Sequence, residues 1–288
     1  MKMCIHIGHL YNPDRFKFIN RFIDEINKYE CDTDLFIHTT KEIPEEVFHK
    51  NKKGKIEVCV YTKFPSHPIG SARYASTTWY LPWLYRPMLE KQIDDYDIFM
   101  GIEDDVLFYK ETLEYWLKYK DDLIERNINL GFLLVEKDDK GEKFWVNSPG
   151  VRLGGRRRSG SRVLPTFLKI KDNLYIINNI EPYCTFWIYD RNEMKRWMRE
   201  EYWDPNKIKR WIGRCQVAEP AMLGMSVDGY KYTAIPLIKR NGGWIKKVDP
   251  NCTAWHQSQR MIKFDNSFST VKVNECIVST KSVIIKLA

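Results

Sequence analysis

Short apolar runs alternate with helical spacing through the first third of the chain, and this alternation constrains the fold more than any other feature. Residues 2–8 form an apolar run that ends at Gly8, which predicts a buried strand. A helix start follows at Asn12-Pro13 or Asp14, with Phe16, Ile19, Phe22, Ile23 and Ile26 on one face. Residues 33–39 and 56–61 predict two more strands. Residues 71–92 have helical, aromatic-rich character interrupted by Pro82 and Pro87. Residues 96–102 predict a fourth strand, and it ends abruptly in Glu103-Asp104-Asp105. Strands that alternate with helices imply an α/β fold with a mainly parallel, Rossmann-type sheet flanked by helices.

The rest of the chain is less regular. Residues 107–125 predict a helix, and 130–135 and 183–189 predict strands. Residues 137–162 carry little periodicity. A helix through 194–201 follows, then a short helix over 219–225 with Pro220 in its first turn, then a strand over 230–235. There is no internal repeat and no linker that separates independent domains, so a single domain over 1–288 is expected.

Charge and composition narrow the partners. The chain of 288 residues carries a net charge of +8, which suits an anionic ligand such as a phosphate group. A basic cluster lies at Arg156-Arg157-Arg158 and Arg162 among glycines and serines, either a solvated loop or a contact for phosphate or acceptor. Over 148–162 this stretch is a candidate lid. The seven cysteines are scattered with no CxxC pair, which argues against a zinc site or disulfide framework and fits a reducing compartment. No apolar run approaches a membrane span, and the chain opens directly into alternation. No signal peptide, no membrane span and a cytoplasmic location are therefore expected.

The acidic triplet is the first candidate for chemistry. Carboxylates at the carboxyl edge of a parallel sheet stand where open α/β sheets bind ligands. Clustered carboxylates repel one another unless a cation sits among them, and oxygen ligands suit Mg or Mn. A solvated turn or a helix N-cap would use the same residues.

Taken with the preceding Asp97-Ile98-Phe99-Met100, the run Glu103-Asp104-Asp105-Val106-Leu107-Phe108 resembles the DxD region of GT-A nucleotide-sugar glycosyltransferases, of the soluble bacterial or large-DNA-virus type. Glutamate replaces the first aspartate of the family's pattern. The segment 217–224, with Glu219-Pro220 where the family has Glu-Asp, resembles its acidic helix, and 228–232 the strand that follows. His256 in Ala254-Trp255-His256-Gln257 resembles a late histidine that completes the metal site. The order of these motifs covers most of residues 1–256.

The resemblance implies a GT-A-like fold with an acceptor-binding half fused to the sheet. Residues 1–105 would form the nucleotide-sugar half, 106–260 the acceptor half and 261–288 a C-terminal tail. It implies a metal-dependent, inverting transfer of a sugar from a nucleoside-diphosphate donor, most commonly UDP, to a hydroxyl of a glycan or glycoprotein. Xylose is the sugar expected. Asp105 and His256 would hold Mn or Mg, which acts as a Lewis acid on the leaving diphosphate. Glu219 would take the acceptor proton as general base. Glu103 and Asp104 would face the donor.

Further donor-binding candidates are Gly8 and His9 after the first strand, Thr39 after the second, Arg73 in a helix ahead of the acidic strand, and Tyr11 and Trp79 as stacking groups. Two other readings compete. His6-Ile7-Gly8-His9 spells the nucleotide-binding signature of class I nucleotidylyltransferases, although the partner Lys-Met-Ser-Lys-Ser signature is absent. A basic, aromatic-rich chain also suits RNA or single strands, but no nucleic-acid-binding motif accompanies it, so nucleic acid is the less favoured partner.

Overall fold

A computed structural model describes residues 1–64, 80–146, 153, 165–178, 184–207, 221–222, 224–226, 229–240, 243–259, 262, 271–277 and 284–287. The fold is mixed α/β. Two compact units interleave along the chain. The first joins Met1–Leu107 to Thr185–Gly229, and the second joins Phe108–Cys184 to Tyr230–Ala288.

The first unit is built on one five-stranded sheet. Its strands are β1 (Lys2–His9), β2 (Asp32–Thr39), β3 (Ile56–Val60), β4 (Ile98–Glu103) and, after a long excursion, β11 (Phe186–Asp190). The order is β11-β4-β1-β2-β3, with β1 to β4 parallel and β11 antiparallel to β4. The chain passes from β1 to β2 to β3 on one side and returns to place β4 on the other flank of β1. The strand order thus reverses between β1 and β4, and such a reversal leaves a crevice at the carboxyl ends of the strands.

Helix α1 (Phe16–Ile26) buries Ile19, Phe22, Ile23 and Ile26, as its spacing predicts. A single 3-10 turn, Pro13–Arg15, precedes it, and the Asn12 side chain caps that turn by accepting from the Asp14 N–H. Helices α2 (Leu81–Leu84) and α3 (Arg86–Gln92) each carry their proline in the first turn, where a missing N–H does no harm. Helix α5 (Arg191–Trp197) follows β11 and starts with a full capping box between Asp190 and Glu193. A two-residue strand, β5 (Val106–Leu107), closes the first segment of this unit.

The second unit is mostly antiparallel, so the mainly parallel reading holds for the first unit alone. It contains α4 (Lys110–Ile124), β6 (Ile128–Leu130), β7 (Leu133–Lys137), β8 (Lys143–Trp145), β9 (Thr166–Ile170), β10 (Asn173–Asn178), β12 (Tyr232–Arg240), β13 (Gly243–Val248), β14 (Thr253–His256), β15 (Val271–Lys272) and β16 (Ile284–Leu287). One sheet runs β13-β12-β10-β9-β16, with β6 against β12, and a second runs β15-β8-β7-β14.

The apolar run 130–135, read from sequence as one strand, is two. Gly131 lies hard against β12: its N–H donates to Ala234 O at 2.7 Å, and a Cβ there would stand 2.6 Å from Ile235 Cγ1. The chain leaves one sheet at Gly131-Phe132 and joins the other at Leu133. Short apolar runs do not reveal which sheet they enter.

Candidate functional site

The carboxyl edge of the first sheet gathers chemistry from separate parts of the sequence. Strand register sets it: Gly8 pairs with Glu103 across β1 and β4, and His9 pairs with Thr39 across β1 and β2. Glu103 is half-buried, and its N–H donates to Thr185 O at 3.1 Å. Thr185 holds φ +60°, a left-handed backbone that a β-branched residue rarely adopts. Such strain costs about 1–3 kcal/mol and collects at functional sites. Asp104 and Asp105 follow β4 and are both buried, with 4% and 1% exposure.

Two side chains from the β1–α1 connection meet them. His9 Nδ1 lies 2.5 Å from Asp104 Oδ2, and His9 Nε2 accepts from the Asn12 N–H at 3.3 Å. The ring therefore carries its proton on Nδ1 and donates it to the carboxylate. Arg15 Nη2 reaches Asp104 Oδ1 at 2.5 Å and Asp105 Oδ2 at 2.7 Å. Burial pushes the Asp104 carboxyl upward and the neighbouring Asp105 adds to it, while the bond from His9 and the charge of Arg15 oppose the rise.

Other groups complete the edge. A Cβ added to Gly8 would meet no atom of the described residues within 4 Å, so their packing does not require glycine there. Thr39 is fully buried, and its hydroxyl has no hydrogen-bond partner among the described residues. Tyr11 is half-buried, with its ring 6.5 Å from that of His9 and Lys41 Nζ 5.1 Å from its centre.

The structure thus brings together Gly8, His9, Tyr11, Thr39, Glu103, Asp104 and Asp105 within the first unit. Arg73, Trp79, Glu219 and the Arg156–Arg158 cluster with Arg162 lie outside the described residues. Sequence reasoning passed over Arg15 and Thr185. The signal for Arg15 was available: the connection after the first strand of a doubly wound sheet faces the ligand crevice, and a basic residue there is a candidate for anion contact.

His256 belongs to the second unit, whereas Asp105 belongs to the first. The His256 Nδ1 lies 2.7 Å from Glu136 Oε1, and its Nε2 lies 3.2 Å from Ser258 Oγ. A histidine braced by a carboxylate is a frequent arrangement in metal sites, but among the described residues no three His, Cys, Asp or Glu side chains group to hold an ion. Arg15 already bridges the two aspartates. In the first unit Arg15 thus stands at the carboxylates where the Mn or Mg that the sequence resemblance implies would bind.

The two histidines of His6-Ile7-Gly8-His9 separate. They lie three residues apart on one strand and so face opposite sides of the sheet. His6 is fully buried, with Nδ1 2.8 Å from His38 Nε2 and Nε2 3.0 Å from Gln92 Oε1. A packed interior position gives His6 no access to a nucleotide at the edge.

The six described cysteines are free thiols. Among the described residues no helix is long and apolar enough to cross a membrane. Compared with known proteins, the chain matches no family model and no curated sequence.

Proposed function

We infer that the chain is a glycosyltransferase that takes a sugar from a nucleoside diphosphate, UDP-xylose being the expected donor, and passes it to a glycan hydroxyl with inversion. The observation that carries the reading is the reversal of strand order between β1 and β4. At its carboxyl edge stand a Gly8 and a Thr39 hydroxyl that are respectively uncrowded and unpartnered among the described residues, and a guanidinium beside two buried carboxylates. Uncrowded backbone and spare donors at such a crevice suit a nucleotide with its phosphates. The sequence likeness of Glu103-Asp104-Asp105, Glu219 and their order supplies the sugar-transfer part of the reading.

In this reading Gly8 and Thr39 border the nucleotide. The acceptor hydroxyl loses its proton to Glu219 as it attacks the anomeric carbon, and the diphosphate leaves from the opposite face. A single base set opposite the leaving group gives inversion. The separation of His6 from His9 speaks against the nucleotidylyltransferase alternative.

A thermal-shift screen of nucleotide sugars tests the reading, because a ligand that binds only the folded chain raises its melting temperature. A rise with a UDP-sugar is expected. A rise with ATP or an oligonucleotide alone would overturn it. Glu219→Gln is then expected to keep donor binding and cut transfer about a hundredfold or more.

A further inference from the structure

Two buried carboxylates side by side need a cation between them. Here the chain supplies one. Arg15 closes the turn after β1 and sets its Nη2 between Asp104 Oδ1 and Asp105 Oδ2. A guanidinium carries five N–H groups in one rigid plane. Nη2 stands within ion-pair distance of both carboxylates. Its Nε is buried and has no partner among the described residues, and no bond to Nη1 is present among them. The Arg15 side chain is 26% exposed, against 4% and 1% for the carboxylates. The open side of the cluster is therefore its cationic side.

We propose that Arg15 is the resident cation of this edge: it neutralises Asp104 and Asp105 and offers the N–H groups of Nη1 to the diphosphate of the ligand, so that binding needs no divalent ion. The inference rests on the nucleotide reading of the edge and deepens it. A guanidinium takes phosphate oxygens in pairs through its planar fork, which makes arginine a strong phosphate group in its own right. A divalent ion would have to displace a tethered group already in contact with both carboxylates. When the sugar–phosphate bond breaks, charge grows on the diphosphate, and a pre-placed guanidinium stabilises it without reorganisation.

The test is titration calorimetry on the full chain with two probes, UDP and inorganic pyrophosphate, each in EDTA and in millimolar Mn. Wild-type affinity for both is expected to change by less than about twofold between the two conditions. Arg15→Gln is expected to weaken both at least about tenfold in EDTA, the loss of a charge-assisted contact. Arg15→Lys should recover part of that loss. Mn alone should raise the melting temperature of Arg15→Gln and leave the wild type unmoved. Wild-type binding that requires Mn, a wild-type shift with Mn alone, or unchanged affinity in Arg15→Gln would each overturn the assignment.

The two readings fail differently. Metal-free pyrophosphate binding with no response to any nucleotide sugar would keep the Arg15 assignment and remove the glycosyltransferase. UDP binding that depends on Mn would do the reverse. Should Arg15→Gln not fold, the wild-type Mn and EDTA arms together with Arg15→Lys decide the matter.

Discussion

The interior of the first sheet and its carboxyl edge are solved in different ways. In the interior, most polar groups find partners, although the indole N–H groups of Trp187 and Trp197 have none among the described residues. His6, His38, Gln92 and Tyr61 form one hydrogen-bonded chain, in which Tyr61 OH lies 3.0 Å from His38 Nδ1. Burial disfavours the charged form of both imidazoles, and a neutral His6 that donates to Gln92 Oε1 accepts at Nδ1 from His38. Arg86, also buried, lies over the rings of Trp83, Trp197 and Trp203 at 3.9, 4.8 and 4.4 Å, and donates to the carbonyls of Tyr202 and Trp203. Gly101 lets the Trp187 ring approach so closely that a Cβ would stand 2.5 Å from it.

At the edge the same kinds of residue are left unfinished. Among the described residues nothing packs against the Cα of Gly8 on its side-chain side, the Thr39 hydroxyl lacks a partner, and Arg15 keeps donors in reserve. An arginine that is enclosed holds a fold together, while one that is partly engaged at an open edge is poised to hold a ligand. A fold optimised for stability alone would have filled the edge as it filled the interior.

The largest expected effect breaks the interior side of this comparison. Arg86→Ala removes the cation from three indole rings and leaves two buried carbonyls without their donor, a loss of about 3–5 kcal/mol read by chemical denaturation. A loss below about 1 kcal/mol would mean that Arg86 is not a fastener.

Gly101→Ala forces the Trp187 ring aside and should destabilise by about 1–3 kcal/mol in the same measurement, the usual range for an overpacked core. Nucleotide affinity should stay unchanged.

Acid sharpens the contrast next. Burial holds the His6 imidazole down at about 3 and keeps His38 well below its ordinary range. The unfolded chain takes up protons on these rings as pH falls below about 6.5, whereas the folded chain does not take one on His6 until about 3. The contribution of these rings is therefore complete above about 6.5 and is lost as pH falls, His6 alone costing up to about 1.4 kcal/mol per pH unit through that window. Melting temperatures across pH 5 to 8 check this, and His6→Gln should flatten the profile.

The smallest effect on stability belongs to the edge. Gly8→Ala should change it by less than about 0.5 kcal/mol, because the added methyl group meets no described residue. The same substitution should weaken UDP binding several-fold in calorimetry if the ligand lies against Gly8. Unchanged affinity would move the ligand away from Gly8.

Much of this was legible in the residues. The apolar runs of the first sheet and the face of α1 follow from periods of two and 3.6, which depend on the backbone alone. The acids at the end of β4 could be placed at a carboxyl edge for the same reason. The strands β9 and β10 were not assigned from the sequence, and in the fold they pair with each other and with β12. Arg15 carries no motif of its own, and only the reach of its side chain to residues 104 and 105 gives it a role.

By itself the sequence determined the α/β character of the first unit, its parallel strands and the candidate edge, since local periodicity and strand ends are written in neighbouring residues. Tertiary structure decided what is non-local. It set β11 antiparallel beside β4, split the run 130–135 between two sheets, buried His6 on one face of the sheet and His9 on the other against Asp104, and put Arg15 beside two carboxylates. The physical reason is that register and side-chain meeting are fixed by contacts across some ninety residues, which no local pattern encodes.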